Sequence, residues 1–154
     1  MESSIKHYTA SAIIFSDSPE KKVLLIKHRK FGLWLQPGGH QESWENPREA
    51  VIREVLEETG IDISHTLSPD IKIDELANEL TPPKYFLEEL IPGKNGEPDH
   101  YHLDQIYVVK VSEQPIKPVS GESTEYGWFS SQELEELEMF NNLRVLLKRE
   151  MDSL

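Results

Sequence analysis

One stretch of the sequence, residues 38–61, constrains the fold more than any other part of the chain. Two glycines open the stretch, and the signals of a single capped helix follow them. Asn46 suits the N-cap, the proline after it suits the first helical position, and Glu49 can complete a capping box with Asn46. Gly60 stands where a left-handed C-terminal cap is needed. The stretch therefore predicts a glycine-containing loop that leads into a helix, Pro47–Thr59.

Three glutamates crowd together on this predicted helix. Glu54, Glu57 and Glu58 stand at positions i, i+3 and i+4, where each pair of like charges destabilises a helix by a few tenths of a kcal/mol. Arg53 can pair well with only one of them, Glu57 at i+4. The pattern places the three carboxylates opposite an apolar stripe of Ile52, Val55 and Leu56. A divalent cation would remove the repulsion, and the alternative interpretation is a solvated acidic face.

The spacing of the whole stretch resembles the Nudix box, G-x5-E-x7-R-E-U-x-E-E-x-G-U, in which U is a bulky apolar residue. Every specified position is filled, by Gly39, Glu45, Arg53, Glu54, Val55, Glu57, Glu58, Gly60 and Ile61. The preceding segment, residues 28–39, is similar to the basic residue, Gly-x-Trp and Pro-Gly-Gly that commonly lead into this box. The resemblance implies a Nudix hydrolase with an α/β fold. It further implies an α/β/α sandwich around a mixed β-sheet, formed as one domain by residues 1–154.

The resemblance also implies a metal site. Glu54, Glu57 and Glu58 would be the principal ligands, and the backbone carbonyl of Gly38 would complete the set. Oxygen ligands of this kind suit Mg2+, with Mn2+ as an alternative, far better than zinc. Glycine at position 38 would let the backbone approach a bound group closely.

Four further residues of the box have supporting roles by the same resemblance. Arg53 would act in catalysis by positioning a glutamate, and Glu45 would be its structural partner. Gly39 and Gly60 would serve the motif as structural residues.

The general base is assigned only as a set of alternatives, because members of the family differ in which glutamate supplies it. Glu57 or Glu58 could act as the base, and so could a carboxylate outside the box. Glu122 fits the outside position best, as both a metal ligand and a catalytic residue, because it follows Gly121 in a predicted loop. Glu125 is the alternative, although it is expected to enter a strand.

Candidate substrate contacts lie outside the box. Arg29 could bind a phosphate, and Phe31 or Tyr101 could stack on a base or another ring. The alternative for each is structural, since arginine at a strand end is often only solvated and aromatic rings are most often buried in packing.

A second pattern with metal-binding potential is the alternation of His100, His102 and Asp104 along one predicted strand face. Zinc needs a third or fourth protein ligand, and spacing along the chain suggests none nearby. Contact with substrate, or packing on the strand face, is therefore the favoured interpretation.

Four further segments predict strands, and one predicts a final helix. The strands are residues 8–15, 22–28, 84–91 and 101–111, of which the last two should form an antiparallel hairpin around Asn95-Gly96. The run in residues 22–28 is apolar without interruption, which predicts a strand covered on both faces. Residues 62–81 are expected to be mixed loop, with core candidates Ile71, Ile73, Leu76 and Leu80. The final helix should turn Leu143, Leu146 and Leu147 inward.

Charge and cysteine content limit the partners of the protein. The formal net charge is −12, which disfavours long nucleic acid and anionic membranes. The Nudix resemblance implies a small-molecule nucleotide as the partner. The absence of cysteine fits a reducing cytoplasm. The N-terminal residues lack the apolar core of a signal peptide, and no run approaches the ~20 apolar residues of a membrane span. The oligomeric state is left open, with a homodimer as one alternative.

These features together predict a magnesium-dependent pyrophosphohydrolase similar to MutT. Its substrate would be a nucleoside polyphosphate or a nucleoside diphosphate derivative. One alternative is a pyrophosphohydrolase acting on an RNA 5′ end or on another nucleoside diphosphate derivative. A further alternative, of another class, is a sensor with the Nudix fold that binds a nucleotide without hydrolysing it.

Overall fold

The structure, a computed structural model, describes residues 5–119, 121 and 123–153. Its elements in chain order are β1 (Lys6–Ser16), β2 (Val23–His28), β3 (Trp34–Leu35), β4 (Gly38–His40), α1 (Pro47–Thr59), β5 (Ile71–Lys72), β6 (Asn78–Glu79), β7 (Tyr85–Ile91), β8 (His100–Val111), β9 (Ser123–Phe129), α2 (Ser131–Leu134) and α3 (Asn141–Asp152).

Seven strands form one mixed sheet. Its main path is β3-β2-β1-β8-β7, with β4 also paired to β1 and β9 also paired to β2. The central pair, β1 and β8, is parallel from Lys6↔Tyr101 to Ser16↔Val111, whereas the other pairings in the sheet are antiparallel. The predicted hairpin of β7 and β8 is confirmed. A separate two-stranded sheet joins β5 and β6.

Helices cover both faces of the sheet. On one face, Val51 and Val55 of α1 pack with Ile14 and Leu24. On the other face, Leu143 and Leu146 of α3 pack against Ile13, Phe15 and Ile106, together with Leu134 of α2 and Leu147 of α3. The predicted α/β/α sandwich with a mixed sheet is therefore confirmed. The apolar run of β2 is buried on both faces, as predicted.

The bounds and caps of α1 agree with the prediction. The Asn46 side chain accepts a hydrogen bond from the Glu49 amide and the Glu49 side chain accepts one from the Asn46 amide, which completes the capping box. Gly60 ends the helix in the left-handed region with φ of 75°, and its amide donates to the Leu56 carbonyl. Glycine adopts this conformation most readily because it has no Cβ atom.

The predicted apolar stripe of α1 is wrong in part. Two adjacent rows are buried instead, Ala50-Glu54-Glu58 and Val51-Val55-Thr59. Leu56 is 43% exposed, and Ile52 is only partly buried. The cause is that Glu54 and Glu58 belong to the inward face, which turns the helix away from the orientation that its apolar residues alone predict.

The core candidates of residues 62–81 are also wrong. Ile71, Ile73, Leu76 and Leu80 are all exposed, and Leu76 reaches 96% exposure. The β5–β6 hairpin forms its own sheet, so its apolar side chains do not reach either core. Within the described part of the chain, no helix is both long and apolar enough to cross a membrane.

Candidate active site

Arg53 lies at the centre of a group of carboxylates. Its Nε and Nη2 atoms donate to the two oxygens of Glu45 at 2.6 and 2.8 Å. Its Nη1 atom donates to Glu54 at 3.0 Å and also to Glu57, at 3.3 Å from Oε2. The expectation that Arg53 pairs well with only one of the three helix glutamates, Glu57, is therefore wrong, because its Nη1 atom lies closer to Glu54 than to Glu57. The contact with Glu45 agrees with the partner that the resemblance implies.

The Arg53–Glu45 pair is a two-pronged contact of the strong, charge-assisted kind. The hydrogen bonds from Arg53 hold the pKa of Glu45 below its usual range. The hydrogen bonds that Arg53 donates to Glu45, with the charge of Glu54, raise the pKa of Arg53. A third contact, from Nη2 of Arg53 to the His40 carbonyl at 3.0 Å, ties the helix to the end of β4. Arg53 therefore fixes the loop, the helix and Glu54 relative to one another.

Two of the box glutamates are buried against the glycine strand β4. Glu58 is 2% exposed, and its Oε2 atom accepts a hydrogen bond from the Gly38 amide at 3.0 Å. A Cβ atom on Gly39 would lie 2.6 Å from the carboxyl group of Glu54, so only glycine leaves room for that carboxylate. The predicted loop at these glycines is a short strand, which pairs with β1 through Gly38↔Ser11.

Glu57 occupies the outer side of the same cluster. Its side chain is 43% exposed, and it is not among the described residues that line the main cavity. Glu54, Glu58, Gly38 and Gly39 do line this cavity, which has a volume of about 860 Å3. Buried carboxylates beside a backbone strand form a hard oxygen donor set, because each carboxylate has two oxygens with about four lone-pair sites. The residues therefore fit a divalent cation such as Mg2+.

Basic and aromatic residues also line the main cavity. Arg29, Lys30 and Phe31 line it, and the Phe31 ring lies 5.1 Å from the His28 ring and 5.6 Å from the Lys94 ammonium. Tyr101 is different, because the structure places it outside this cavity. Its ring lies 5.5 Å from the Lys6 ammonium, and alternation along β8 turns it to the sheet face opposite His102.

The structure describes only one of the two candidates for the carboxylate outside the box. Glu122 lies outside the described residues, although its neighbour Gly121 lines the main cavity. Glu125 lies on β9, as expected, where it pairs with Lys27 at 3.3 Å.

A polar network in the main cavity was missed by sequence reasoning. Asp104 is buried and accepts hydrogen bonds from the hydroxyls of Thr9 and Ser11 at 3.0 and 3.1 Å. Glu89 also lines the cavity, and the charge of Asp104 acts on its carboxyl group. Burial, followed by the charge of Asp104, raises the pKa of Glu89 to about 8. The signal was present as alternating residues on β7 and β8, but it becomes informative only once their pairing is known.

The raised pKa of Glu89 predicts a pH effect on stability. Glu89 has a folded pKa of about 8 against 4.5 in the absence of the fold. The folded state therefore binds more protons between these values, so the free energy of unfolding should fall as pH rises through this window. Glu89→Gln keeps a hydrogen-bond donor without titrating. Its Tm relative to the unmodified protein should rise between about pH 5 and about pH 8, by the equivalent of roughly 1 kcal/mol or more.

Thermal unfolding of both proteins in metal-free buffer measures this difference. Glu88→Gln is the control, because the neighbouring Glu88 side chain is exposed beside Lys6. If Tm changed with pH in the same way for Glu89→Gln and the unmodified protein, the raised pKa of Glu89 would be contradicted.

Comparisons with known proteins agree with this geometry. A model of the NUDIX domain matches residues 6–149. The Nudix hydrolase YvcI of Bacillus subtilis (strain 168) is 47% identical over 53 residues, which are 34% of this chain and 32% of YvcI. The 8-oxo-dGDP phosphatase NUDT18 of Danio rerio is 41% identical over 58 residues, 36% of this chain and 17% of that protein. The matches thus span about a third or less of these curated relatives.

Similarity of the fold extends over nearly the whole chain. The crystal structure of a hydrolase of the NUDIX family from Clostridium perfringens superposes with a TM-score of 0.72 at 28% identity, covering 95% of this chain and 96% of that one. The family model likewise includes both the box and the strands that carry the main cavity. The chain therefore belongs to the Nudix hydrolase family.

Proposed function

We propose that this protein hydrolyses a diphosphate linkage in a small nucleotide and that the reaction depends on Mg2+. The observation that carries the proposal is the position of Glu54 and Glu58, whose buried carboxylates line a cavity that Arg29 and Phe31 also line. A cavity of about 860 Å3 is within the range of small-molecule sites, roughly 300–1,000 Å3. We further propose that residues 1–154 are one domain, which the family match over residues 6–149 supports.

The ion would be held by Glu54, Glu57 and Glu58, with the Gly38 carbonyl as a further ligand. When bound, Mg2+ supplies positive charge to the phosphate oxygens and lowers the pKa of a coordinated water. Arg53 holds Glu54 and Glu57 in place through the contacts from its Nη1 atom. A glutamate takes the proton of the attacking water, and Glu57, Glu58 and Glu122 are the candidates, with Glu125 as the alternative to Glu122.

The rest of the cavity supports the proposed substrate class. Phe31 offers a ring face for stacking, and Arg29, Lys30 and Lys94 provide local positive charge in a chain whose net charge is −12. Phosphate groups need such local cations because the whole molecule repels them. Water would be added across a P–O–P bridge, giving a nucleoside monophosphate and pyrophosphate or a similar pair. NUDT18 is named for activity on a nucleoside diphosphate, which fits a nucleotide substrate, and cytoplasmic location stays a prediction.

Metal dependence provides the direct test of this function. Hydrolysis of a panel of nucleoside polyphosphates and nucleoside diphosphate derivatives, followed by release of phosphate or pyrophosphate, should require Mg2+ or Mn2+ and should stop on addition of EDTA. Because the ion binds the folded site, Mg2+ should also raise Tm, by an amount equivalent to about 2.7 kcal/mol at one hundred times Kd. Hydrolysis that persists after exhaustive chelation would contradict the metal mechanism. Tight nucleotide binding without turnover of any substrate would instead indicate the sensor.

The position of Arg29 in the lining of the main cavity predicts a change in KM. Arg29→Gln removes a positive charge from the cavity wall but leaves the box untouched, so KM should rise roughly tenfold with a smaller change in kcat. Steady-state kinetics on the best substrate of the panel measures this change. Arg149→Gln is the matched control, because Arg149 is an exposed arginine of α3 whose guanidinium lies over Tyr85. An unchanged KM for Arg29→Gln would remove Arg29 from the substrate site.

A further inference from the structure

Four imidazole rings form a closed cluster beside the main cavity. The ring of His7 lies 5.2 Å from His40 and 5.5 Å from His100, and the ring of His102 lies 5.1 Å from His40 and 5.0 Å from His100. We call these four residues the histidine cluster. Its members come from three strands, β1, β4 and β8, so the cluster exists only in the folded sheet.

Strand pairing explains why the cluster forms. β1 lies between β4 and β8, and His7 is in register with His102 of the parallel strand β8. His40 is in register with Thr9 of β1. Side chains alternate along a strand, so His7 and Thr9 face the same side, as do His100 and His102. All four imidazoles therefore project from one face of the sheet.

Separations between nitrogen atoms fit metal ligation. One ligand atom each from His7, His40 and His102 lies within 4.8 Å of the others. Nε2 of His100 lies 3.2 Å from Nε2 of His102. Zinc bonds of about 2.0–2.1 Å place two nitrogens of a tetrahedral site about 3.4 Å apart. The rings of His7 and His40 are exposed, so ligation requires no movement of a buried side chain at these two positions.

The environment of His102 suits a metal ligand. Burial, followed by the repulsion of His40, His100 and His7, lowers the pKa of His102. This environment favours the neutral imidazole, which is the form that binds transition metals.

The cluster is open to solvent on two sides. His40 and His102 line the main cavity, while His40 and His7 line a second cavity of about 310 Å3. His7 and His40 are exposed, and His102 is partly buried. An ion can therefore reach the three nitrogens without any part of the sheet opening.

We infer that His7, His40 and His102 form a Zn2+ site, separate from the carboxylate site of the box, with His100 as the nearest fourth nitrogen donor. The two sites differ in ligand chemistry. Imidazole nitrogens select a borderline cation such as Zn2+, whereas the box glutamates offer the hard oxygens that suit Mg2+. A Zn2+ ion bound there would lie beside the main cavity, which His40 and His102 line. His40 belongs to the same strand, β4, as Gly38 of the carboxylate site.

Calorimetric titration with Zn2+ tests this site. Excess Mg2+ is present throughout, so that the box glutamates are occupied by the cation that suits them. We expect one Zn2+ per chain with a Kd tighter than about 10 μM. His7→Ala should weaken binding by about tenfold or more, because losing a ligand should cost at least as much as losing an outer-shell partner. His102→Gln should weaken it by at least as much.

The controls separate this site from general zinc binding. His65→Ala removes an exposed histidine outside the cluster and should leave Kd unchanged, and Glu57→Gln should also retain Zn2+ binding. His7 is exposed, so His7→Ala keeps the test valid even if His102→Gln does not fold. Co2+ substitution should give the intense visible absorption of a tetrahedral nitrogen site, and His7→Ala should remove it.

Three results would overturn the inference. They are an absence of Zn2+ binding tighter than about 10 μM, equal affinity in His7→Ala and the unmodified protein, and loss of Zn2+ binding in Glu57→Gln while His7→Ala retains it.

Discussion

Glu58→Gln should lower kcat by roughly 10²–10⁴-fold, the range expected when a group that acts on the reacting water is lost. Glu58 is 2% exposed and lines the main cavity. Its Oε2 atom accepts the Gly38 amide hydrogen. Glutamine has nearly the same volume, and its amide oxygen can accept the same hydrogen bond. The substitution therefore removes the negative charge needed for a cation and leaves the local structure in place.

The stability of this variant provides an independent measurement. Glu54 and Glu58 are two buried carboxylates on one helix face, so their repulsion opposes folding in the absence of a cation. The metal-free Tm of Glu58→Gln should equal or exceed that of the unmodified protein. The increase in Tm on addition of Mg2+ should shrink in the variant. These opposite changes would distinguish a lost ion site from a damaged fold.

Glu150→Gln is a control matched for burial. Glu150 is 3% exposed and accepts hydrogen bonds from Lys84 and Tyr85 on the α3 side of the sheet. Its replacement should lower Tm and leave kcat and the Mg2+ response unchanged. A Glu58→Gln variant with normal turnover and a normal Mg2+ response would show that Glu58 is not part of the metal site.

The parts of the fold that sequence predicts well depend on neighbouring residues. The caps of α1 are correct because Asn46, Glu49 and Gly60 each act within one turn of the helix. β2 is correct because four consecutive apolar side chains favour a strand that is covered on both faces. Such signals involve no partner distant in the chain, so a single sequence contains all the information they need.

The inward face of α1 could not be predicted by counting apolar residues. Glu54 and Glu58 occupy inward positions, where a site needs carboxylates rather than apolar packing. Because the glutamates face inward, Leu56 is turned toward solvent. The same reasoning about hydrophobicity failed for Ile71 and Leu76, because a two-stranded hairpin holds them away from the main sheet. Apolar residues predict a core only when the topology brings them to one.

The other polar groups beside the main cavity come together only through pairing between strands that are distant in the sequence. The parallel register of β1 and β8 brings His7 beside His102 and Thr9 beside Asp104, which are 95 residues apart in each case. Spacing along β8 alone suggested too few ligands for a metal. The missing imidazoles come from β1 and β4, and no periodicity within one strand could have indicated them.

Gly39→Ala should lower kcat by roughly a hundredfold while the protein stays folded. The new Cβ atom would lie 2.6 Å from the carboxyl carbon and both oxygens of Glu54, closer than any ordinary contact. The far end of a side chain can move, so the clash should displace the Glu54 carboxylate rather than the backbone. Displacement of about 1 Å at a catalytic group is enough for an effect of this size.

Two other glycines make this prediction specific. A Cβ on Gly121 meets no atom of the described residues within 4 Å, although Gly121 also lines the main cavity, so Gly121→Ala should retain normal kcat. A Cβ on Gly38 would lie 2.4 Å from Cβ of Ser11 and 2.6 Å from the Ala10 carbonyl oxygen, so Gly38→Ala should lower Tm. Kinetics and thermal unfolding of the three variants therefore separate a displaced carboxylate from a distorted sheet. If Gly39→Ala and Gly121→Ala had equal kcat, the position of Glu54 against Gly39 would have no role in turnover.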